Sequence, residues 1–224
     1  MLSEDQVDAF VSRYVKDGNV VAVGTNQLGE LFLKKLGILC ESNHWEIEII
    51  PTSTSQIATA KMFHLPLTTL NEREVDIAFE FVDQADNDYN FLKRYSTSLI
   101  RDKMIAQSAA ELVAILPGKE QFERLHGNVS MEISSFGWKR TLLLLERVGK
   151  VDHQKYPDEP PKTELGHYIV DVEIDASLSL EDIDMQARLI PGVLETGLFI
   201  GMADRLILVG DTDIKVKSRL DNED

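Results

Sequence analysis

Val20-Val21-Ala22-Val23-Gly24-Thr25-Asn26-Gln27, running on into Leu28-Gly29-Glu30-Leu31-Phe32-Leu33-Lys34-Lys35-Leu36, joins an apolar run, a polar turn and an amphipathic segment. Four consecutive apolar residues, introduced by the turn formers Asp17-Gly18, read as a strand covered on both faces, as in a parallel sheet. The following apolar residues recur at helical spacing over residues 28–36, and Gly37 is placed to cap that helix. Strand, turn and helix in this order are the repeating unit of an α/β protein.

The unit recurs outward from there. A helix is expected over residues 5–16, before the first strand at 19–23. Residues 46–50 form the next strand, followed by Thr52-Ser53-Thr54-Ser55-Gln56 and a helix to about residue 63. A third strand spans 75–79, a long helix 98–111, and a fourth strand 112–116, ended by Pro117-Gly118. From residue 127 the order becomes strand 129–134, helix 138–148, strand 168–174, helix 180–189 and strand 193–200, which suits an open-faced sandwich. Residues 152–163, rich in proline and charge, read as a solvated loop, and 218–224 as a frayed acidic tail. The strand at 205–209 returns to the first sheet. The expectation is an α/β fold: a Rossmann-like larger domain, residues 1–127 plus 201–224, with a smaller inserted ferredoxin-like α+β domain, residues 128–200.

With 224 residues, 43% of them hydrophobic, the chain has enough apolar material for substantial cores. Its formal charge of -15, from 38 acidic and 23 basic residues, repels a nucleic-acid partner. A small anion is still compatible, since lysines and helix-start amides make local positive pockets. One cysteine, Cys40, allows no internal disulfide, and five scattered histidines lack ligand spacing, so no metal site is expected. No apolar run is long enough to cross a bilayer, and the amino terminus lacks a basic segment followed by an apolar one. A cytoplasmic protein without membrane contact is expected.

Glu80, Asp83, Lys93 and Asp102 form an ordered charged set within this frame. Such a set points to proton shuttling. By themselves the acids also fit a solvated loop, and Asp102 fits the favourable first turn of a helix.

Several ordered segments resemble the type A ribose-5-phosphate isomerase family. They are Val20-Val21-Ala22-Val23-Gly24-Thr25; residues 76–83, where the family has DVxxDGADE; and Leu92-Lys93 with Leu99-Ile100-Arg101-Asp102-Lys103, where it has IKGGGAALTREK. Gly118-Lys119 and Ile190-Pro191-Gly192-Val193 with Gly197-Leu198-Phe199, matching IPGVxxxGLF, complete the set. The resemblance implies an aldose-ketose isomerase that interconverts ribose 5-phosphate and ribulose 5-phosphate through an enediolate, without metal or other cofactor. It also implies a small phosphorylated sugar as partner and a homodimer or homotetramer. Carried over by position, Asp102 stands for the base, Glu80 and Asp83 for the two acids of the second motif, and Lys93 for the catalytic lysine. Thr25, Asn26, Gln27, Ser53, Thr54, Ser55, Arg94, Tyr95, Ser96 and Lys119 fall on substrate-binding positions.

The chain departs from the family pattern around the pocket. Asp102 replaces a glutamate, Glu80 an aspartate, Phe81 a glycine, Gln84 a glutamate, and Arg94-Tyr95-Ser96 a run of glycines. Two readings stay open: an active isomerase with a remodelled pocket, and a catalytically inactive relative that binds a sugar phosphate or serves as a regulatory or interaction protein.

Overall fold

The computed structural model describes residues 3–118, 122–210 and 213–220. Helix α1 spans Glu4–Tyr14, opened by a capping box between Ser3 and Gln6, and leads to β1, Val20–Val23. Helix α2 spans Gln27–Asn43, longer than its apolar pattern predicts. It continues through Gly37, whose missing side chain lets it pack on Phe63, and stops at His44 in the left-handed conformation. The expected glycine cap is therefore a packing glycine inside the helix. Next come β2 (Glu48–Ile50), α3 (Thr54–Met62), β3 (Val75–Phe81), and two short strands, β4 (Gln84–Ala85) and β5 (Phe91–Leu92). Helix α4, Leu99–Ser108, and β6, Ala109–Pro117, share the boundary expected later in the chain, because 109–111 pair with β3 instead of extending the helix.

A six-stranded sheet has the order β13-β12-β6-β3-β1-β2, where β12 is Arg205–Val209 and β13 Ile214–Ser218. All its neighbours are parallel except β12 and β13. Alternation along the strands sends Val21, Val23, Ile77, Phe79, Ile115 and Ile207 to the face packed by Phe10, Phe32 and Leu36 of α1 and α2. Val20, Ala22, Ala78, Ala114 and Leu206 go to the other face, with Ile105 and Ala106 of α4. Both faces are thus covered, which explains the continuous apolar run at residues 20–23. Edge strand β13, Ile-Lys-Val-Lys-Ser, is mostly exposed and carries too short an apolar alternation to be expected from sequence; its two lysines protect an open edge. Ser218 of the expected tail ends this strand, and residues 221–224 of that tail lie outside the described residues.

A second, antiparallel sheet has the order β10-β7-β9-β8, with β7 at Asn128–Ile133, β8 at Gly149–Lys150, β9 at Tyr168–Ile174 and β10 at Val193–Thr196. Helices α5 (Trp138–Leu145) and α6 (Leu180–Arg188) supply Leu142, Leu145, Ile183 and Ala187 to its core. No helix of the described residues is long and apolar enough to cross a membrane.

Residues 193–200 read as one strand but form two, in different sheets. β10 ends at Thr196, and β11, Leu198–Phe199, joins β5 and β4 in a three-stranded sheet. Gly197 is the pivot: its N–H bonds Ser130 O at 2.7 Å, and its carbonyl receives Lys93 N at 2.9 Å. A Cβ there would run into the carbonyl oxygen of Lys93 and that of Ser130. The small sheet spans both cores, with Leu92 and Leu198 on one side and the stacked Phe91 and Phe199, 4.4 Å between ring centroids, on the other. Gly197→Ala is expected to lower unfolding free energy by about 2 kcal/mol or more in urea denaturation, since two backbones must part to admit one methyl group; an unchanged midpoint would contradict the pivot.

Candidate active site

Strand order reverses around β1, which has β2 on one side and β3 on the other, and this leaves a crevice at the carboxyl ends of the strands. β1 delivers Gly24 to that crevice, where its N–H bonds Phe79 O at 2.7 Å; β3 delivers Glu80. Lys93 follows β5 and is held in register by Gly197, while Asp102 sits in the first turn of α4.

Three charged side chains from these elements meet. Lys93 Nζ lies 2.6 Å from Glu80 Oε2 and 2.6 Å from Asp102 Oδ2. Side-chain exposure is 1% for Lys93 and 0% for both acids, so the group is closed off from water. Gly24 lies against it, and any side chain there would overlap the Glu80 carboxylate. Two carboxylates face one ammonium, which leaves an excess of negative charge in a dry site. Burial, only partly offset by Lys93 and reinforced by the Asp102 carboxylate, pushes Glu80 up to about 7. Burial alone would lower Lys93, but Asp102 and Glu80 together raise it above the usual lysine range, so the amine stays charged.

The hydrogen bonds leave a pattern. Ser96 Oγ donates to Asp102 Oδ2 at 2.5 Å, so Oδ2 has two donors. Glu80 Oε1 and Asp102 Oδ1 are buried and accept no hydrogen bond among the described residues. Buried acceptors without donors are costly, and where they occur in pairs beside a charge they point to function.

Asp83 stands apart from this group. It is exposed, and its Oδ2 accepts the Arg94 N–H at 2.7 Å, so the four expected side chains meet as three plus a neighbour. Asp83 lines a hollow of about 510 Å³ with Asn26, Gln27, Phe81 and Tyr95. Tyr95 is 76% exposed and Arg94 half-buried. Asn26 caps α2 through Gly29 N at 2.8 Å, and Thr25 Oγ1 meets Thr52 Oγ1 at 2.7 Å, which ties the two polar loops together. The second loop is largely self-satisfied. Ser53 Oγ accepts Gln56 N and lies 3.2 Å from Ser55 Oγ, and the Thr54 N–H donates to both Glu164 oxygens at 3.0 and 3.1 Å. Lys119 lies outside the described residues.

Other supporting residues went unrecognised in the sequence. Glu132 on β7, fully buried, accepts Ser98 Oγ at 3.2 Å, Ile100 N at 3.1 Å and His167 Nδ1 at 2.8 Å, and so anchors the start of α4. Its place in Val-Ser-Met-Glu-Ile is that of an outward polar residue on a half-covered strand, which carries no signal of burial. Gln84, at the motif's final acidic position, exchanges two hydrogen bonds with the His126 backbone.

Comparisons with known proteins bear on the family and the fold. The sequence profile of Ribose 5-phosphate isomerase A (phosphoriboisomerase A) matches residues 48–213. The chain is 32% identical over 202 residues to Ribose-5-phosphate isomerase A 1 of Oceanobacillus iheyensis, covering 89% of this chain and 90% of that protein. It is 30% identical over 210 residues to Ribose-5-phosphate isomerase A of Bacillus mycoides, covering 92% and 95%. The structure of ribose 5-phosphate isomerase A from Methanocaldococcus jannaschii superposes with a TM-score of 0.84 at 24% identity, over 96% of this chain and 98% of that one, and shares its fold. With matched sequence across nearly its whole length and the same architecture, this chain belongs to the ribose 5-phosphate isomerase A family.

Proposed function

We propose that this protein interconverts ribose 5-phosphate and ribulose 5-phosphate, with the Glu80–Lys93–Asp102 cluster as its chemical centre. The observation that supports this most is one buried ammonium between two carboxylates, each with an oxygen left free of donors. Asp102 Oδ1 takes the proton from C2 of the open-chain aldose, the electron pair forms the C1–C2 double bond, and the carbonyl oxygen becomes the enediolate oxyanion. Returning that proton to C1 gives the ketose, so atoms and charge balance without a redox partner. Lys93, held charged, faces the oxyanion. Glu80, near half-protonation at neutral pH, moves the proton between O1 and O2.

Asp83 and the hollow it lines receive the polyol chain, with Asn26, Gln27 and Tyr95 around it. The remaining described positions, Thr25, Ser53, Thr54, Ser55 and Arg94, are assigned to the rim that takes the phosphate end. Since the cluster is closed, the loops around it open for entry and close again to exclude water. The same reading assigns residues 1–127 with 201–224 to the unit that bears the chemistry, residues 128–200 to the smaller one, and the whole to a cytoplasmic homodimer or homotetramer.

A coupled assay on the purified protein is expected to show turnover of ribose 5-phosphate. Asp102→Asn should remove about a hundredfold to ten-thousandfold of that rate, the usual contribution of a positioned base, with folding intact by circular dichroism. An inactive parent protein would defeat the proposal.

Glu80 also couples the site to stability. Its folded value of about 7 lies above its ordinary 4.5, so the folded protein keeps a proton that the unfolded chain has already lost between those values. The stabilising contribution is therefore complete below about 4.5 and disappears as pH rises through about 7. Thermal unfolding midpoints measured from pH 5 to 8 should fall less steeply for Glu80→Gln than for the parent; identical slopes would refute the assignment.

A further inference from the structure

The hydroxyl of Ser96 has two partners, and together they fix its direction. Its oxygen accepts the Ser98 N–H at 2.9 Å, and its proton points to Asp102 Oδ2 at 2.5 Å, since a carboxylate offers only acceptors. The Ser98 amide is itself held in place: it belongs to the cap residue of α4, whose side chain is tied to Glu132, which in turn holds His167. Hydrogen bonds joined through the Ser98 residue therefore link β7 to the carboxylate of Asp102.

Asp102 needs such a fixture. Oδ2 receives two donors, Lys93 Nζ and Ser96 Oγ, from different directions, while Oδ1 receives none. One donor leaves a carboxylate free to swing about its contact; two on the same oxygen define the plane of the group and the aim of the other oxygen. Aspartate is one methylene shorter than glutamate, so its carboxyl has less reach to recover from a wrong aim.

We propose that Ser96 is a positioning residue that orients Asp102, presenting Oδ1 to the substrate carbon while Oδ2 is held. The inference rests on the isomerase reading above and deepens it. Ser96, grouped by position with the substrate-binding residues, acts through Asp102 and does not touch the sugar. Ser96 Oγ lies 2.5 Å from Asp102 Oδ2, so a longer acid at position 102 must displace either the hydroxyl or its own carboxylate.

The test is steady-state kinetics with ribose 5-phosphate on Ser96→Ala, Ser96→Thr, Ser96→Gly, Asp102→Glu and the Ser96→Gly/Asp102→Glu double variant. Ser96→Ala should lose roughly ten- to a hundredfold in kcat with KM within about threefold of the parent, because aim is lost and ground-state binding is not. Ser96→Thr, which restores the hydroxyl, should recover most of that loss. Asp102→Glu alone drives its carboxyl against the Ser96 hydroxyl and loses activity, and the double variant should exceed both single variants. A Ser96→Ala enzyme with parental kcat, or a Ser96→Thr enzyme no better than Ser96→Ala, overturns the proposal. If Ser96→Ala does not fold, the two-residue cycle decides: losses that simply add in the double variant also overturn it. A parent protein that turns over no ribose 5-phosphate defeats the isomerase reading itself, an outcome distinct from an active parent indifferent to Ser96.

Discussion

A single ammonium between two carboxylates, with all three shut away from water, is the constraint around which the architecture is arranged. Placing ions in a dry interior costs several kcal/mol for each, and their attraction offsets this only when the geometry is close and held. Each ion is therefore fixed by a different part of the chain: Glu80 by the parallel sheet, Lys93 by a backbone bond to Gly197, and Asp102 by the first turn of α4. The three-stranded sheet β4-β5-β11 makes this possible, because it locks the lysine between the two hydrophobic cores.

The imbalance of charge carries the chemistry. Burial, reinforced by the second carboxylate, makes Glu80 hold its proton near neutrality, while the two acids together keep the amine charged. A site with a proton acceptor, a proton carrier and a fixed cation is suited to moving hydrogen between adjacent carbons through an anionic intermediate. The departures from the family motif cluster where this balance is set. Exchanging acid lengths at positions 80 and 102 shifts the cluster's geometry while keeping its charge, and the Ser96 hydroxyl adds a donor where the family has glycine.

Much of the fold was legible in local pattern. Continuous apolar runs at Val20–Val23 and 112–116 mark strands covered on both faces, and Ser98, Ser53 and Asn26 each open a helix as capping residues do. The errors share a cause. Local pattern makes Gly37 a stop where it is a contact with Phe63, residues 193–200 one strand where Gly197 passes the chain between sheets, and 109–111 helix where they pair with β3. In each case a partner distant in sequence overrode the local preference.

The order of charged and apolar residues by itself determined the alternation of strands and helices, because this is written in spacing along one chain, and the resemblance of its motifs to a known family marked the ionisable side chains that meet at the site. Only the tertiary structure decided that Glu80, Lys93 and Asp102 form one closed group while Asp83 stays exposed, and that Glu132 is buried and Ser96 points at Asp102. Burial and aim depend on what packs from the other side, and for these residues that neighbour lies on a separate strand or helix, beyond the reach of any local pattern.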